Sequence, residues 1–422
     1  MMLALYRTLT TLAAPALRLM LARRVARGKE IAGRLPERRG IDATPRPPGR
    51  LLWVHAASVG ETVSVLPVLA ALPGDIAVLL TTGTVTSAAL LERRLPELGL
   101  GARVRHRFVP LDVPGWTARF LDHWRPDAAA LVESEIWPNL ISGCGARGIP
   151  LALVNARLSR RSAANWARLP GVARGLFGGF DRVLAQSDAD AARLHALGAP
   201  ESSVTGNLKY AAPPLPADAA EFARLGAMLA GRPAWLAAST HPGEEAVVRA
   251  VHARLAAGYP GLLSIIVPRH PERGPEVAAA MAGLAVTRRA AGEDPPAGSG
   301  VYVADTLGEL GLFYRLAPIA FVGRSLGGAA GGQNPLEPAR LGCAVAVGPA
   351  VHNFADIVPA LVAEGAVAQV ADGAALADFV AAMLDDPAAR AAMGAAGRAA
   401  SAALADLPER VAGALVGMMG GG

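Results

Sequence analysis

The chain is expected to fold as two α/β domains, each built on a parallel sheet. Three observations carry this. A length of 422 residues exceeds one ordinary core and suits two domains of middling size. Short apolar runs alternate with longer helical patterns, the signature of repeated βαβ units. That alternation breaks at residues 211–216, AAPPLP, where closely spaced prolines oppose both helix and central strand.

Apolar residues make up 52% of the chain and charged residues 18%, ample for buried cores, and no long polar tract signals disorder. Cys144 and Cys343 are the only cysteines and stand apart, so neither a disulfide framework nor a zinc site is indicated. A reducing compartment fits. Residues 1–50 hold eleven Arg/Lys against three Asp/Glu, a net +8, whereas the whole chain is +6 and the remainder therefore about −2. Basicity confined to one end suits an anionic membrane surface better than a nucleic-acid groove, so no nucleic-acid partner is expected.

Residues 1–21, MMLALYRTLTTLAAPALRLML, are largely apolar but interrupted by Arg7, Pro15 and Arg18, and Arg23, Arg24, Arg27 and Lys29 follow. A secretory signal places its charge first, and a spanning helix needs about 20 clean apolar residues. An interfacial or short membrane-associated helix with its basic flank on the cytoplasmic side is the reading adopted, with a helix packed on the domain as the alternative. The expected plan is an anchor helix and basic flank at 1–34, a first Rossmann-like domain at 35–210, a linker at 211–220 and a second domain at 221–422 ending in Ala-rich helices. Strands are expected at 51–55, 76–81, 128–132, 151–155 and 183–185, then at 235–238, 262–267, 301–303, 319–322 and 344–347. Two such domains imply a cleft between them, a preferred place for a ligand.

HAASVGE, ending at Glu61, falls where the first strand gives way to a helix. A carboxylate is favoured at a helix N-terminus in any case, so capping is as good an account as catalysis from local chemistry alone. Position adds a functional argument, because the carboxyl ends of parallel strands face the ligand crevice in open α/β sheets. There a carboxylate can take a proton from a hydroxyl. ESEIWPNL places Glu133 and Glu135 at another strand end. Residues two apart in an extended chain point the same way, so their repulsion calls for a nearby cation, with Arg157 in NARLSRRS and Lys209 in GNLKY as candidates. Surface ion pairing is the competing account.

In the second half, PRHPERG offers Arg269 and His270 after an apolar strand, a pair suited to phosphate or carboxylate, against the alternative of a solvated loop. DTLGELGLFY presents Gly308 beside Glu309. The glycine-rich stretch 323–342, GRSLGGAAGGQNPLEPARLG, leads into a helix near Pro335, and such a loop and helix start suit an anion, with Glu337 able to accept hydrogen bonds from a ribose. Its glycines match neither the dinucleotide fingerprint nor a P-loop.

Taken in order, HAASVGE, ESEIWPNL, NARLSRRS, GNLKY, STHPGEE, PRHPERG, DTLGEL and GGQNPLEPA resemble the Kdo transferases, the 3-deoxy-D-manno-octulosonic acid transferases of lipopolysaccharide assembly, over about residues 51–360. The resemblance implies a GT-B fold with two Rossmann-like domains facing a cleft, CMP-Kdo as donor on the C-terminal domain, and a lipid A precursor, lipid IVA, as acceptor at the N-terminal domain. It also implies work on the cytoplasmic face of the inner membrane. By motif, Glu61 is similar to the family's proton acceptor, and Glu133 and Lys209 to its transition-state stabilisers. Arg269, His270, Leu307, Gly308, Glu309, Asn334, Pro335, Leu336 and Glu337 fall on its CMP-contacting motifs. Neither a metal nor a cofactor is implied, CMP-Kdo being the donor substrate, and inverting transfer is expected. The sequence departs from the family pattern at Gln333, where histidine is common, at Arg324, in place of a glycine, and at Pro242, in place of a glutamate. A sugar-nucleotide epimerase of similar architecture, or a non-enzymatic membrane- or sugar-binding protein, are the competing functions.

Overall fold

The computed structural model describes residues 2–211, 213–326 and 331–420, so Ala212 of the expected linker and residues 327–330 of the glycine-rich stretch lie outside the described residues. The chain divides into two compact units, residues 1–212 with 406–422, and residues 213–405.

The first unit holds a seven-stranded sheet: β1 Leu51–Ala56, β2 Ala77–Thr82, β3 Val104–Phe108, β4 Ala128–Val132, β5 Leu151–Ala156, β6 Arg182–Ala185 and β7 Ser202–Val204, in the order β3-β2-β1-β4-β5-β6-β7. All pairings are parallel. Successive side chains of a strand point to opposite faces. Leu52 and Val54 of β1 accordingly join one core with Leu66 and Leu69, while Leu51 and Trp53 join the other with Phe120 and Trp124. Burial on both faces explains why these strands read as continuous apolar runs.

Helix Leu407–Met419 packs in the first of those cores through Leu407, Val411, Ala412 and Leu415. This corrects the expectation that the chain from 221 to its end forms one domain: the last helix completes the first unit. Its apolar spacing announced a helix but could not say which core would receive it. The expected linker is also shorter in structure, since Asp218 caps helix Ala219–Leu229 by accepting a 2.8 Å hydrogen bond from the Glu221 N–H.

The N-terminal segment forms two helices, Met2–Leu12 and Ala14–Ala26, with Pro15 in the first turn of the second. Tyr6 donates to Asp112 at 2.9 Å, Asn139 donates to Thr10 at 3.3 Å, and Leu21 is buried with Val113 and Trp116. One side of the first helix is therefore tied to the unit, while Leu5, Leu9 and Leu12 stand 58%, 55% and 73% exposed. Among the described residues no helix is long and apolar enough to cross a membrane.

The second unit repeats the architecture with β8 Ala234–Thr240, β9 Leu263–Pro268, β10 Val286–Arg288, β11 Gly300–Val303, β12 Ile319–Val322, β13 Ala344–Val347 and β14 Val367–Gln369. The order is β10-β11-β9-β8-β12-β13-β14, again all parallel. Strands β3, β7, β10 and β14, absent from the sequence expectation, are the edges of the two sheets.

Candidate active site

Strand order reverses between β1 and β4 in the first sheet and between β8 and β12 in the second. Loops leaving the carboxyl ends of such neighbours diverge and open a crevice. Glu61 follows β1 and Glu133 follows β4, so these two candidates flank the first switch point.

Ser58 caps helix Val59–Ala71, its hydroxyl oxygen accepting from the Glu61 N–H at 3.3 Å. The Glu61 carboxylate in turn accepts from the Ala57 N–H at 2.8 Å and from the Ser58 hydroxyl at 2.7 Å, a reciprocal cap. Capping and catalysis therefore do not compete here, because the cap fixes the carboxylate at the strand end. Burial raises its pKa above the usual carboxylate range, opposed by the Ser58 and Ala57 hydrogen bonds and assisted by the negative charges of Glu135 and Glu133. The result is a more basic glutamate in a fixed orientation.

The structure brings Lys209 to Glu133, Nζ to Oε1 at 3.6 Å, and thereby selects between the two candidate cations. Arg157 is exposed, and its backbone N–H donates to the Glu133 carbonyl at 3.3 Å. The expectation that Glu133 and Glu135 point the same way is corrected, because Glu133 adopts a left-handed φ of 59° and the segment is not extended. Glu135 instead accepts from the Trp137 indole at 2.6 Å and stands 3.6 Å from His55 Nε2. Burial works against ionisation of Glu135, yet His55 and the Trp137 N–H hold it below the usual range. Sequence reasoning gave His55 and Trp137 no role; only the chain reversal at Glu133 makes them partners.

In the second unit, Arg269 leaves β9 with its N–H donating to the Thr240 carbonyl at 3.0 Å, and both Arg269 and His270 are exposed. Leu307 is 84% exposed, and Gly308 takes a φ of 86° that suits glycine. The Glu309 carboxylate is occupied by Arg289, at 2.6 and 2.5 Å, and by the Thr306 hydroxyl. Hydrogen bonding from Arg289 holds it below the usual range. Asn334 accepts from the Leu336 N–H at 3.1 Å at the start of helix Leu336–Arg340, with Pro335 preceding it. Burial raises the Glu337 carboxyl, against the Asn334 amide and the charges of Arg269 and Arg340, so Arg269 and Glu337 share one electrostatic environment.

What the sequence did not disclose is the residue organising these loops. Glu244 is fully buried and accepts four backbone hydrogen bonds, from His241 at 3.0 Å, Arg324 at 2.7 Å, and Ser325 and Leu326 at 3.0 Å each. It ties the turn after β8 to the loop after β12, across the second switch point. A Cβ on Gly323 would come within 2.7 Å of the Ser239 carbonyl and 2.9 Å of this carboxylate, which is why glycine stands there. The motif STHPGEE pointed to the position without indicating the four donors.

The sequence profile of the 3-Deoxy-D-manno-octulosonic-acid transferase (kdotransferase) family matches residues 33–212. A 3-deoxy-D-manno-octulosonic acid transferase of Bordetella pertussis is 40% identical over 384 residues, covering 89% of each chain. The chain belongs to the Kdo transferase family. The Haemophilus influenzae Kdo transferase is 35% identical over 377 residues, 86% of each chain. A probable mitochondrial Kdo transferase of Arabidopsis thaliana is 38% identical over 371 residues, 85% of this chain and 82% of that protein. Among solved structures, UDP-GlcNAc 2-epimerase from Neisseria meningitidis bound to UDP-GlcNAc superposes with a TM-score of 0.56 at 14% identity, over 87% of this chain and 100% of that one. A glycosyltransferase from Rickettsia africae ESF-5 gives 0.57 at 11%, over 89% and 100%. At such identities these two share the fold alone.

Two departures of this Kdo transferase from the family pattern now have a structural setting. The Gln333 amide lies 3.3 Å from His241 Nε2, and burial, then the charges of Arg324, His270, Arg269 and Arg273, lowers the His241 pKa, so Gln333 donates to a neutral ring. Arg324 sits at a left-handed φ of 58°, where a side chain costs roughly 1–2 kcal/mol relative to glycine. Arg324→Gly is therefore expected to stabilise the protein by about 1 kcal/mol, read as a higher urea midpoint at unchanged slope.

Proposed function

We propose that this Kdo transferase moves Kdo from CMP-Kdo to a lipid A precursor, lipid IVA, in lipopolysaccharide assembly, by inverting, metal-independent transfer. The observation that carries the reading is Glu61, a buried, unusually basic carboxylate oriented by its own cap beside the Glu133–Lys209 pair. Glu61 takes the proton of the acceptor hydroxyl as its oxygen attacks the anomeric carbon of Kdo. The bond to CMP breaks, and its electron pair leaves with the phosphate. Glu133 suits positive charge developing on the sugar, and Lys209 suits negative charge on the departing phosphate. The Lys209 side chain is 47% exposed, so water screens its contact with Glu133 and little energy holds the pair closed against a ligand. Arg269, His270, the 307–309 turn and Asn334 to Glu337 supply the donor contacts. Purified enzyme with CMP-Kdo and tetraacyl lipid A precursor should release CMP and add the mass of Kdo to the acceptor. No CMP release, under conditions where a relative turns over, would overturn the reading.

The same proposal puts the enzyme on the cytoplasmic face of the inner membrane. Leu5, Leu9 and Leu12 present a helical apolar stripe, while Tyr6 and Thr10 hold the other side of that helix to the unit. Replacing all three leucines by serine is expected to weaken co-sedimentation with anionic vesicles at least tenfold. Burial of a leucine contributes about 1.5–3 kcal/mol, so even partial insertion of three exceeds that factor. The fold should survive, since none of these side chains is in a core.

A further inference from the structure

The first unit contains a cavity of about 220 Å³ that the proposed chemistry does not use. Met20, Leu21, Leu111 and Trp137 form apolar walls, and His55 and Ala57 line it from the end of β1. It is smaller than the roughly 300–1,000 Å³ of pockets that enclose a whole drug-sized ligand, so it takes a slender part of a molecule. Three features define that part. Met20 lines the cavity and is also 39% exposed, next to the 55% exposed Leu19, which makes an apolar path from the surface inward. Arg24 lines the cavity with a side chain 39% exposed, while Arg38, also lining it, is buried against Glu30, so the pair of arginines on one glutamate leaves a net positive charge. Inside, His55 is fully buried and its Nε2 has no hydrogen-bond partner among the described residues. Its Nδ1 lies 3.1 Å from the Thr81 carbonyl and 3.0 Å from the Thr81 hydroxyl, and its Nε2 faces the Glu135 carboxylate at 3.6 Å.

We infer that this cavity holds one acyl chain of the lipid acceptor, entering past Met20, with the anionic head toward Arg24 and a polar group of the chain within reach of His55 Nε2. The inference rests on the lipid acceptor proposed above and adds to it a specific seat for a chain. Ala57 on the cavity wall is the residue whose N–H holds Glu61, so a seated chain fixes the acceptor close to its base.

The test compares the tetraacyl acceptor with the same phosphorylated disaccharide stripped of its acyl chains, in wild type, Leu111→Trp and Met20→Asp. The first substitution fills the cavity and the second puts a charge at its entrance. Wild type should show a KM at least tenfold lower for the acylated acceptor. Both variants should raise that KM at least fivefold and leave KM and kcat for the stripped acceptor unchanged, which also certifies folding. Variants that leave the acylated KM unchanged, or raise both KM values alike, would overturn the proposal. Independently of turnover, dodecyl phosphate brominated near its chain end should quench tryptophan fluorescence in wild type, with the quenching lost in Trp137→Phe. Its absence in wild type overturns the cavity assignment whatever the transfer assay reads. Failure to transfer to either acceptor, with quenching intact, overturns the transferase reading alone.

Discussion

Glu61→Gln is expected to lower kcat by at least 100-fold while leaving CMP binding and the fold in place. A positioned general base contributes about 10²–10⁴-fold, and an amide cannot accept the proton. The fold should survive because glutamine can keep its oxygen on the Ala57 N–H and turn its NH2 toward the Ser58 hydroxyl, preserving the cap that Glu61 makes. The pH profile offers a second check. The active form is the carboxylate, so activity is present above its pKa and falls as pH drops through it. Burial first, then Glu135 and Glu133, hold that pKa above the ordinary glutamate value of 4.5, so the acidic limb of kcat/KM should lie above that value. The residual activity of the glutamine variant should lack this limb. Near-wild-type turnover, or an unshifted acidic limb in the variant, would remove Glu61 from the role of base.

Glu244→Ala is expected to destabilise the second unit by about 4 kcal/mol and to raise the KM for CMP-Kdo. Four backbone N–H groups lose their acceptor at once. Leaving a buried donor unsatisfied costs about 1–3 kcal/mol, and loop relaxation and entering water reduce the sum below four full penalties. Glu244→Gln should cost about half as much, because its oxygen still serves two donors while its NH2 faces the others. Denaturation followed through Trp235, buried in the second unit, reads the stability, and steady-state kinetics read the donor. A stability loss under 1 kcal/mol in the alanine variant would show that the loop after β12 does not depend on this carboxylate.

The inner strands were legible in the sequence and the edges were not, for one reason. Central strands of a parallel sheet are covered on both faces and read as unbroken apolar runs. β4, AAALV, and β12, IAFV, are fully buried, and the expected spans coincide with the observed ones. β3 reads VRHRF with its middle three residues only half-buried, and β7, SSV, is half-buried to exposed. Edge positions take polar residues because one side of the strand meets solvent, and that erases the pattern. The candidate site divides in a similar way. Motifs at strand ends located Glu61, Glu133 and Lys209, and the structure joins the last two. The pairings of Glu135 with His55 and of Glu244 with the loop after β12 depend on contacts across 80 residues in each case, as between Glu135 and His55 or Glu244 and Arg324. The first of these was further obscured by the left-handed turn at Glu133, which no local rule predicts for glutamate.

The return of helix Leu407–Met419 to the first unit bears on how the protein is made. Chains emerge from the ribosome N-terminus first, and domains generally fold as they appear. Here the unit carrying Glu61 lacks Leu407, Val411 and Leu415 of its core until residues 213–405 have been made. The second unit, contained within residues 213–405, can finish earlier. A nascent chain stalled before residue 406 would therefore display an uncovered apolar groove along helix Val59–Ala71, the helix that Glu61 caps. Of the two units, the one carrying Glu61 becomes whole only after residues 213–405 are made, so a chain cut short before residue 406 leaves Glu61 on an incomplete core.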